Sequence, residues 1–261
     1  MCPQRKLYAL LAGISIILLT PFAASATLSG LGTPTIDGFI TTGEWDTAAK
    51  VSFTVNVPGG TSPGALLFMN DERNLYFAVQ LARTFVDAGD NLIRIFLDRN
   101  NSFVRDIGDD GIWVDVATQL SSGNGFFDFY VAACPPLLCI PFDVQDSGTT
   151  DGTGRFGNNG TSSVFELKHP LDSGDVIHDV SLRPGDTVGL SVELVIGSIG
   201  LTRLPGGDFR SFFDTVSVSA VPEASSLLLV GSGLAGMVGL TWRRQRRDDQ
   251  SESVSGWKEP V

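Results

Sequence analysis

Apolar residues in this chain recur at every second position, in short runs separated by turn-forming residues. Val51, Phe53, Val55 and Val57 alternate with Ser52, Thr54 and Asn56, so one face of that segment is apolar and the other polar. Further runs rich in β-branched and aromatic residues occupy 75–81, 92–97, 112–116, 126–131, 164–167 and 188–195. Gly, Asn, Asp and Pro punctuate them, as in Pro58-Gly59-Gly60, Asn70-Asp71, Gly108-Asp109-Asp110-Gly111 and Gly157-Asn158-Asn159-Gly160. Outside the two apolar ends no stretch has a helical period. The pattern therefore predicts an all-β fold, an antiparallel β-sandwich of jelly-roll or Greek-key type. The stretch from Gln145 to Ser162 is nearly all Gly, Asn, Asp, Ser and Thr, and is expected to be a long loop.

The two ends obey different rules. Arg5 and Lys6 precede an apolar run from Leu7 to Leu19, and Ala24-Ser25-Ala26 supplies small residues for cleavage, so 1–26 reads as a secretory signal peptide. No cysteine stands at that junction, which argues against lipoprotein processing. At the other end, Val221, Pro222 and Glu223 lead into the uncharged segment Leu227 to Trp242, closed by Arg243, Arg244, Arg246 and Arg247. As a transmembrane helix the segment reaches roughly 24 Å, a little short of a ~30 Å hydrocarbon core. The arginines stay cytoplasmic by the positive-inside bias, which places everything before Val221 across the membrane. Pro222 holds the preceding residue out of the helical region, leaving the motif extended. The expected organisation is a signal peptide at 1–26, an exported domain at 27–220, a sorting signal at 221–247 and a polar tail at 248–261.

The C-terminal arrangement resembles the PEP-CTERM sorting signal of Gram-negative bacteria. Pro222 and Glu223 match its motif, followed by the helix and then the arginine retention cluster. Ala224 replaces the second proline, and the chain runs on past the arginines to Val261. The resemblance implies export by signal peptidase and the general secretion machinery, transient anchoring in the inner membrane, and cutting by exosortase, a membrane protease. Release would be to the cell surface or the exterior. An uncut C-terminal anchor is the alternative.

A second resemblance spans about residues 35–197. Thr35-Ile36-Asp37-Gly38 with Gly43-Glu44-Trp45, then Asn70 to Val79, Phe96-Leu97-Asp98-Arg99-Asn100, Val164-Phe165-Glu166-Leu167 with Pro170-Leu171, and Leu182 to Asp186 resemble family-9-like carbohydrate-binding modules and their DOMON-like relatives. This implies a β-sandwich, with sugar recognition in some members. A DOMON-like haem role would need an axial pair such as Met69 with His169 or His178, which the spacing does not support.

Composition narrows the partners. The chain carries a net charge of −11, with 29 Asp and Glu against 18 Lys and Arg. The acidic excess lies in the exported domain, so nucleic acid is excluded as a partner. The acids are mostly Asp, with only Glu44, Glu72, Glu166 and Glu193 in the domain. Asp98, Asn100, Asp106, Asp109 and Asp110 gather hard oxygen donors in one segment and are the candidate calcium ligands, with a solvated acidic loop as the alternative. Phe103 and Asp109 break the EF-hand pattern. Trp113, Phe126 and Tyr130 are candidate sugar-stacking residues, against packing roles for each. Cys134 and Cys139 flank a short loop and are expected to form a disulfide.

No Ser, Cys or His stands in a recognisable nucleophile context, so no catalytic residue is assigned. The resulting expectation is a non-enzymatic surface module associating with extracellular polysaccharide. A structural matrix protein without a ligand is the alternative, and a paired-carboxylate glycoside hydrolase a weaker one.

Overall fold

A computed structural model describes residues 26–57, 60–84, 91–135, 137–197, 200–204 and 214–221. The signal-peptide run, the apolar C-terminal segment and the arginine cluster lie outside these residues. The chain divides into two compact units between Ser219 and Ala220. Among the described residues no helix is long and apolar enough to cross a membrane.

The strands, in chain order, are β1 (Thr27–Leu28), β2 (Gly30–Leu31), β3 (Ala49–Val57), β4 (Gly60–Asn70), β5 (Asn74–Leu81), β6 (Leu92–Asp98), β7 (Asp110–Asp115) and β8 (Phe126–Tyr130). They continue with β9 (Ala132–Cys134), β10 (Leu137–Cys139), β11 (Thr153–Asn158), β12 (Ser163–Pro170), β13 (Thr187–Ile196), β14 (Gly200–Leu204) and β15 (Asp214–Ser217). Sheet one runs β1-β15-β13-β6-β7-β8, with β14 also paired to β13. Sheet two runs β11-β12-β5-β4-β2, with β3 also on β4. The predicted β-sandwich is the fold, and its long pairs are antiparallel. The two short N-terminal strands pair in parallel, β1 with β15 and β2 with β4.

The period-two pattern does what its chemistry requires. Ile93, Ile95 and Leu97 of β6, Ile112 and Val114 of β7, and Val188, Leu190, Val192, Leu194 and Ile196 of β13 face inward. They meet Leu66, Phe68, Leu75, Phe77, Val79, Phe165 and Leu167 of sheet two in one continuous core.

Two expectations are corrected. Residues 145–162 are not one long loop, because Thr153–Asn158 forms β11, paired with Ser163 to Lys168 of β12. Its glycines are there for clearance: a Cβ on Gly154 would lie 2.3 Å from Val114 Cγ2, and one on Gly157 would lie 2.1 Å from Gly38 O. A helix also exists away from the ends, α1 (Val116–Ser122). Asp115 caps it by accepting from Thr118 N at 2.6 Å, and Gly123 closes it in the left-handed region.

Sheet two carries a second, smaller core on its outer side, formed by Trp45, Leu67, Met69, Tyr76 and Ala78. At its centre is the buried carboxylate of Glu166. One oxygen accepts from Asp37 N (3.0 Å) and Gly38 N (2.8 Å), and the other from Trp45 Nε1 (2.9 Å). The Asp-Gly and Glu-Trp pairs near the start of the domain are thus tied to β12. Gly38 adopts φ 92°, and a side chain there would meet the Phe156 backbone at 2.7 Å.

The start and end of the domain are joined as well. Ser219 N donates to Ser29 Oγ and to Asn70 Oδ1, both at 2.9 Å, and Asn70 Nδ2 donates to Ser219 O at 3.0 Å. Ser219 Oγ donates to Ser29 O, and Ser29 Oγ donates to Asn70 Oδ1. All three residues are buried.

Candidate metal centre and outer aromatic face

At one end of the sandwich the inward-facing positions stop being apolar. The face that carries Val114 and Ile112 continues to Asp110 on β7. The face of Phe126 continues to Asp128 on β8, and that of Phe165 and Leu167 continues to His169 on β12. The loop after β12 adds Asp179, and a 3-10 turn at Asp143–Asp146 adds Asp143. All five side chains are buried. The ligand atoms of Asp110, Asp128, His169 and Asp179 lie within 4.8 Å of one another.

These groups are only partly satisfied. Asp110 Oδ2 accepts from Val180 N at 2.9 Å and contacts His169 Nε2 at 3.2 Å. Asp128 Oδ2 accepts from Asp151 N at 2.7 Å. Asp110 Oδ1, Asp128 Oδ1 and His169 Nδ1 make no hydrogen bond, while Asp143 and Asp179 lie against each other as a carboxyl–carboxylate pair. Among the described residues, the ion pairs bring histidine to these acids but no lysine or arginine.

The crowding of charge is visible in the proton affinities. Burial pushes Asp128 up to about 8, reinforced by the Asp110 charge. Burial, with Asp179 alongside, pushes Asp143 up to about 9. Asp179 rises through burial and then Asp110. Burial opposes a charge on His169, but Asp110, Asp128 and Asp179 outweigh it and hold the imidazole at about 9. Next to this group, Asp143, Asp175 and His178 form a second one. His178 Nδ1 sits 2.9 Å from Asp175 Oδ2, and its ring lies 4.6 Å from that of Tyr130.

The candidate calcium residues are not all brought together. Asp98 Oδ1 accepts from Asn100 N and Ser102 N, and Asp98 Oδ2 accepts from Phe103 N at 2.7 Å. Asp109 accepts from Arg99 N and Asp106 N, while Asn100 Nδ2 donates to Asp106. These carboxylates brace their own loop, in which Asn101 and Phe103 take positive φ. Asp110 alone of the five reaches the inner cluster, because consecutive strand residues point to opposite faces. From sequence Asp128, Asp143 and Asp179 are not singled out, and His169 is considered only as a haem ligand. The available signal was a charged residue at an inward slot, as in Phe126, Asp128, Tyr130. Met69 lies in the outer core of sheet two while His169 faces inward, so the two do not flank a common space.

The candidate stacking residues also part company. Phe126 is buried in the main core, and Tyr130 sits against His178 on the inner side. Trp113 faces outward from sheet one and is half-buried. Around it are Phe127 at 5.1 Å and Phe142 at 4.9 Å, and the Arg94 guanidinium is 4.6 Å from its ring centre. Beneath them Phe96, Phe129 and Val131 form a small core under the β9–β10 hairpin. The Cα atoms of Cys134 and Cys139 are 5.5 Å apart across that hairpin, at the separation of a disulfide. Close by, Glu193 Oε1 accepts from Arg105 Nη1 (3.0 Å) and Arg203 Nε (3.1 Å), and Arg94 Nη1 stands 3.5 Å from Oε2. The Arg105 guanidinium covers the Phe96 ring at 3.4 Å.

Comparison with known proteins adds to this geometry at both levels. Residues 220–247 match the PEP-CTERM protein-sorting motif, as the tail's three-part order predicts. No curated protein matches the chain in sequence. Among solved structures, the fold is similar to a family 9 carbohydrate-binding module from Caldicellulosiruptor kristjanssonii in complex with cellotriose. The two share 12% identity over 76% of this chain and 96% of that one, with a TM-score of 0.50. A putative carbohydrate-binding protein from Bacteroides uniformis shows 12% identity over 75% of this chain and 100% of that one, with a TM-score of 0.48. At such identity the first likeness speaks for the fold alone, the one the sequence motifs imply.

Proposed function

We propose that residues 27–220 form an exported, non-catalytic module that associates with extracellular polysaccharide, delivered by signal peptidase and exosortase processing. The observation that carries the binding reading is the half-exposed Trp113, Phe127 and Phe142 group beside Arg94 on the outer side of sheet one. A sugar ring offers a C–H face that packs on an aromatic surface and hydroxyls that seek a charged or polar neighbour. The likeness to a cellotriose-binding module supports the same ligand class. The non-catalytic reading is supported by the position of the best-clustered carboxylates, which are buried where no polysaccharide could reach them.

A structural surface role without a ligand is the second reading, favoured by the way Arg94 already occupies one face of Trp113. The test is retention of the full chain, in detergent, on the producer's exopolysaccharide. Retention is expected, and Trp113→Ala should weaken it about tenfold, the loss of one good aromatic contact. Equal retention of the two proteins would remove Trp113 from the site, and no retention of either would leave the structural role. For the delivery half, mass spectrometry of mature protein is expected to find residues 227–261 missing.

A further inference from the structure

We infer that Asp110, Asp128, Asp179 and His169 bind one divalent metal ion of the zinc or manganese class, with Asp143 next to it. The case rests on donors rather than on the mere presence of acids. Four buried residues from β7, β8, β12 and the loop before Val180 aim their ligand atoms into a space no wider than 4.8 Å. That is the span across a first coordination sphere, in which metal–ligand distances are about 2.0–2.4 Å. Asp110 Oδ1, Asp128 Oδ1 and His169 Nδ1 are left without hydrogen bonds although their side chains are buried. Buried carboxylates in this state are costly unless a cation or protons neutralise them.

Three further arguments narrow the ligand. All four side chains are buried, which shuts out an organic substrate, and their ligand atoms stand at the mutual distances that one ion would bridge. Its donor set mixes imidazole nitrogen with carboxylate oxygen, which suits zinc and manganese better than calcium, an ion that takes oxygen ligands. The ligands also come from both sheets and a loop, so an ion there would fasten the loop carrying Asp179 to the end of the sandwich. Gly148 packs against the same region: a Cβ there would meet Asp175 Oδ2 and His178 Nδ1 at 2.8 Å.

The test loads the full chain, in detergent, with Zn²⁺, Mn²⁺, Co²⁺ or Ca²⁺ separately, followed by dialysis, metal analysis and melting. About one equivalent of zinc or manganese should be retained, with a melting temperature about 5–10 °C above that of chelator-treated protein. The cobalt form should show visible absorption bands typical of nitrogen and oxygen ligation. Asp179→Asn, in a loop, and His169→Gln should each weaken retention about tenfold or more. If the histidine variant does not fold, the paramagnetically shifted imidazole N–H proton signal of the cobalt-loaded unaltered chain reports histidine ligation, and its absence would overturn the inference. Retention of none of the transition ions would mean that protons neutralise the cluster, and would overturn the inference. Retention of calcium alone, or unchanged metal binding in both variants, would overturn it too.

Discussion

Glu166→Ala should lower the unfolding free energy by about 3 kcal/mol, seen in urea titration as an earlier midpoint with an unchanged slope. The substitution leaves the Asp37 and Gly38 amides and the Trp45 indole without their acceptor. Three buried donors at about 1–3 kcal/mol each outweigh the relief of removing a buried carboxylate. That relief is itself about 3 kcal/mol, since burial pushes the Glu166 carboxyl from 4.5 up to about 7 against the pull of those same donors. The sign of the pH dependence follows. Between about 4.5 and 7 the folded state keeps a proton that the unfolded chain releases, so this residue's contribution declines as pH rises through that window. Glu166→Ala should therefore cost more at pH 5 than at pH 8. Trp45→Phe, which removes one of the three donors, should cost about 1–2 kcal/mol. A Glu166→Ala protein as stable as the parent would show that the Asp-Gly and Glu-Trp segments hold their place by packing alone.

Glu193→Ala should cost about 3–5 kcal/mol, because it strips the carboxylate from Arg105, whose side chain is only 4% exposed. Burial lowers the proton affinity of Arg105 and Glu193 restores part of it. Burial would raise Glu193, but Arg105 and Arg203 hold it below its usual range. This stabilisation is present at neutral pH and is lost as acid titrates the folded carboxyl. The double variant Glu193→Leu with Arg105→Met should recover most of the loss, since an apolar pair needs no desolvation of charge. Thermal melts of the two variants decide the matter. A double variant as unstable as Glu193→Ala would place the effect in the loop that Arg105 brings down onto Phe96, rather than in the unpaired charge.

These two carboxylates show where the sequence was legible and where it was not. The strands centred on Phe53, Phe77, Ile95, Val114, Phe165 and Val192 stand where their apolar runs predict them, because each turns an apolar face into the main core. β4 carries no alternating signal at its start, where Gly60, Pro63 and Gly64 are turn-forming residue types. Gly64 is in fact strand backbone cleared for the Phe53 ring, which lies 2.4 Å from where its Cβ would be. β11 was hidden for the same reason, a polar, glycine-rich composition serving a close approach. The candidate metal centre was harder to see. Asp110 and Asp179 are 69 positions apart, and only the packing of the sheet that holds β7 and β8 against the sheet that holds β12 brings the group together. The local Asp98 to Asp110 density was a sequence-local signal, and the loop spends those carboxylates on its own amides.

The Ser29–Asn70–Ser219 junction has a mechanical consequence. It sits one residue ahead of the stretch that matches the sorting motif, at the seam where β1 runs parallel to β15. Ser219, the last residue before that stretch, is held at once to Ser29, between β1 and β2, and to Asn70, at the end of β4. Like the clamp where a cable enters its plug, the junction takes a pull on the tail before the pull can reach the working parts.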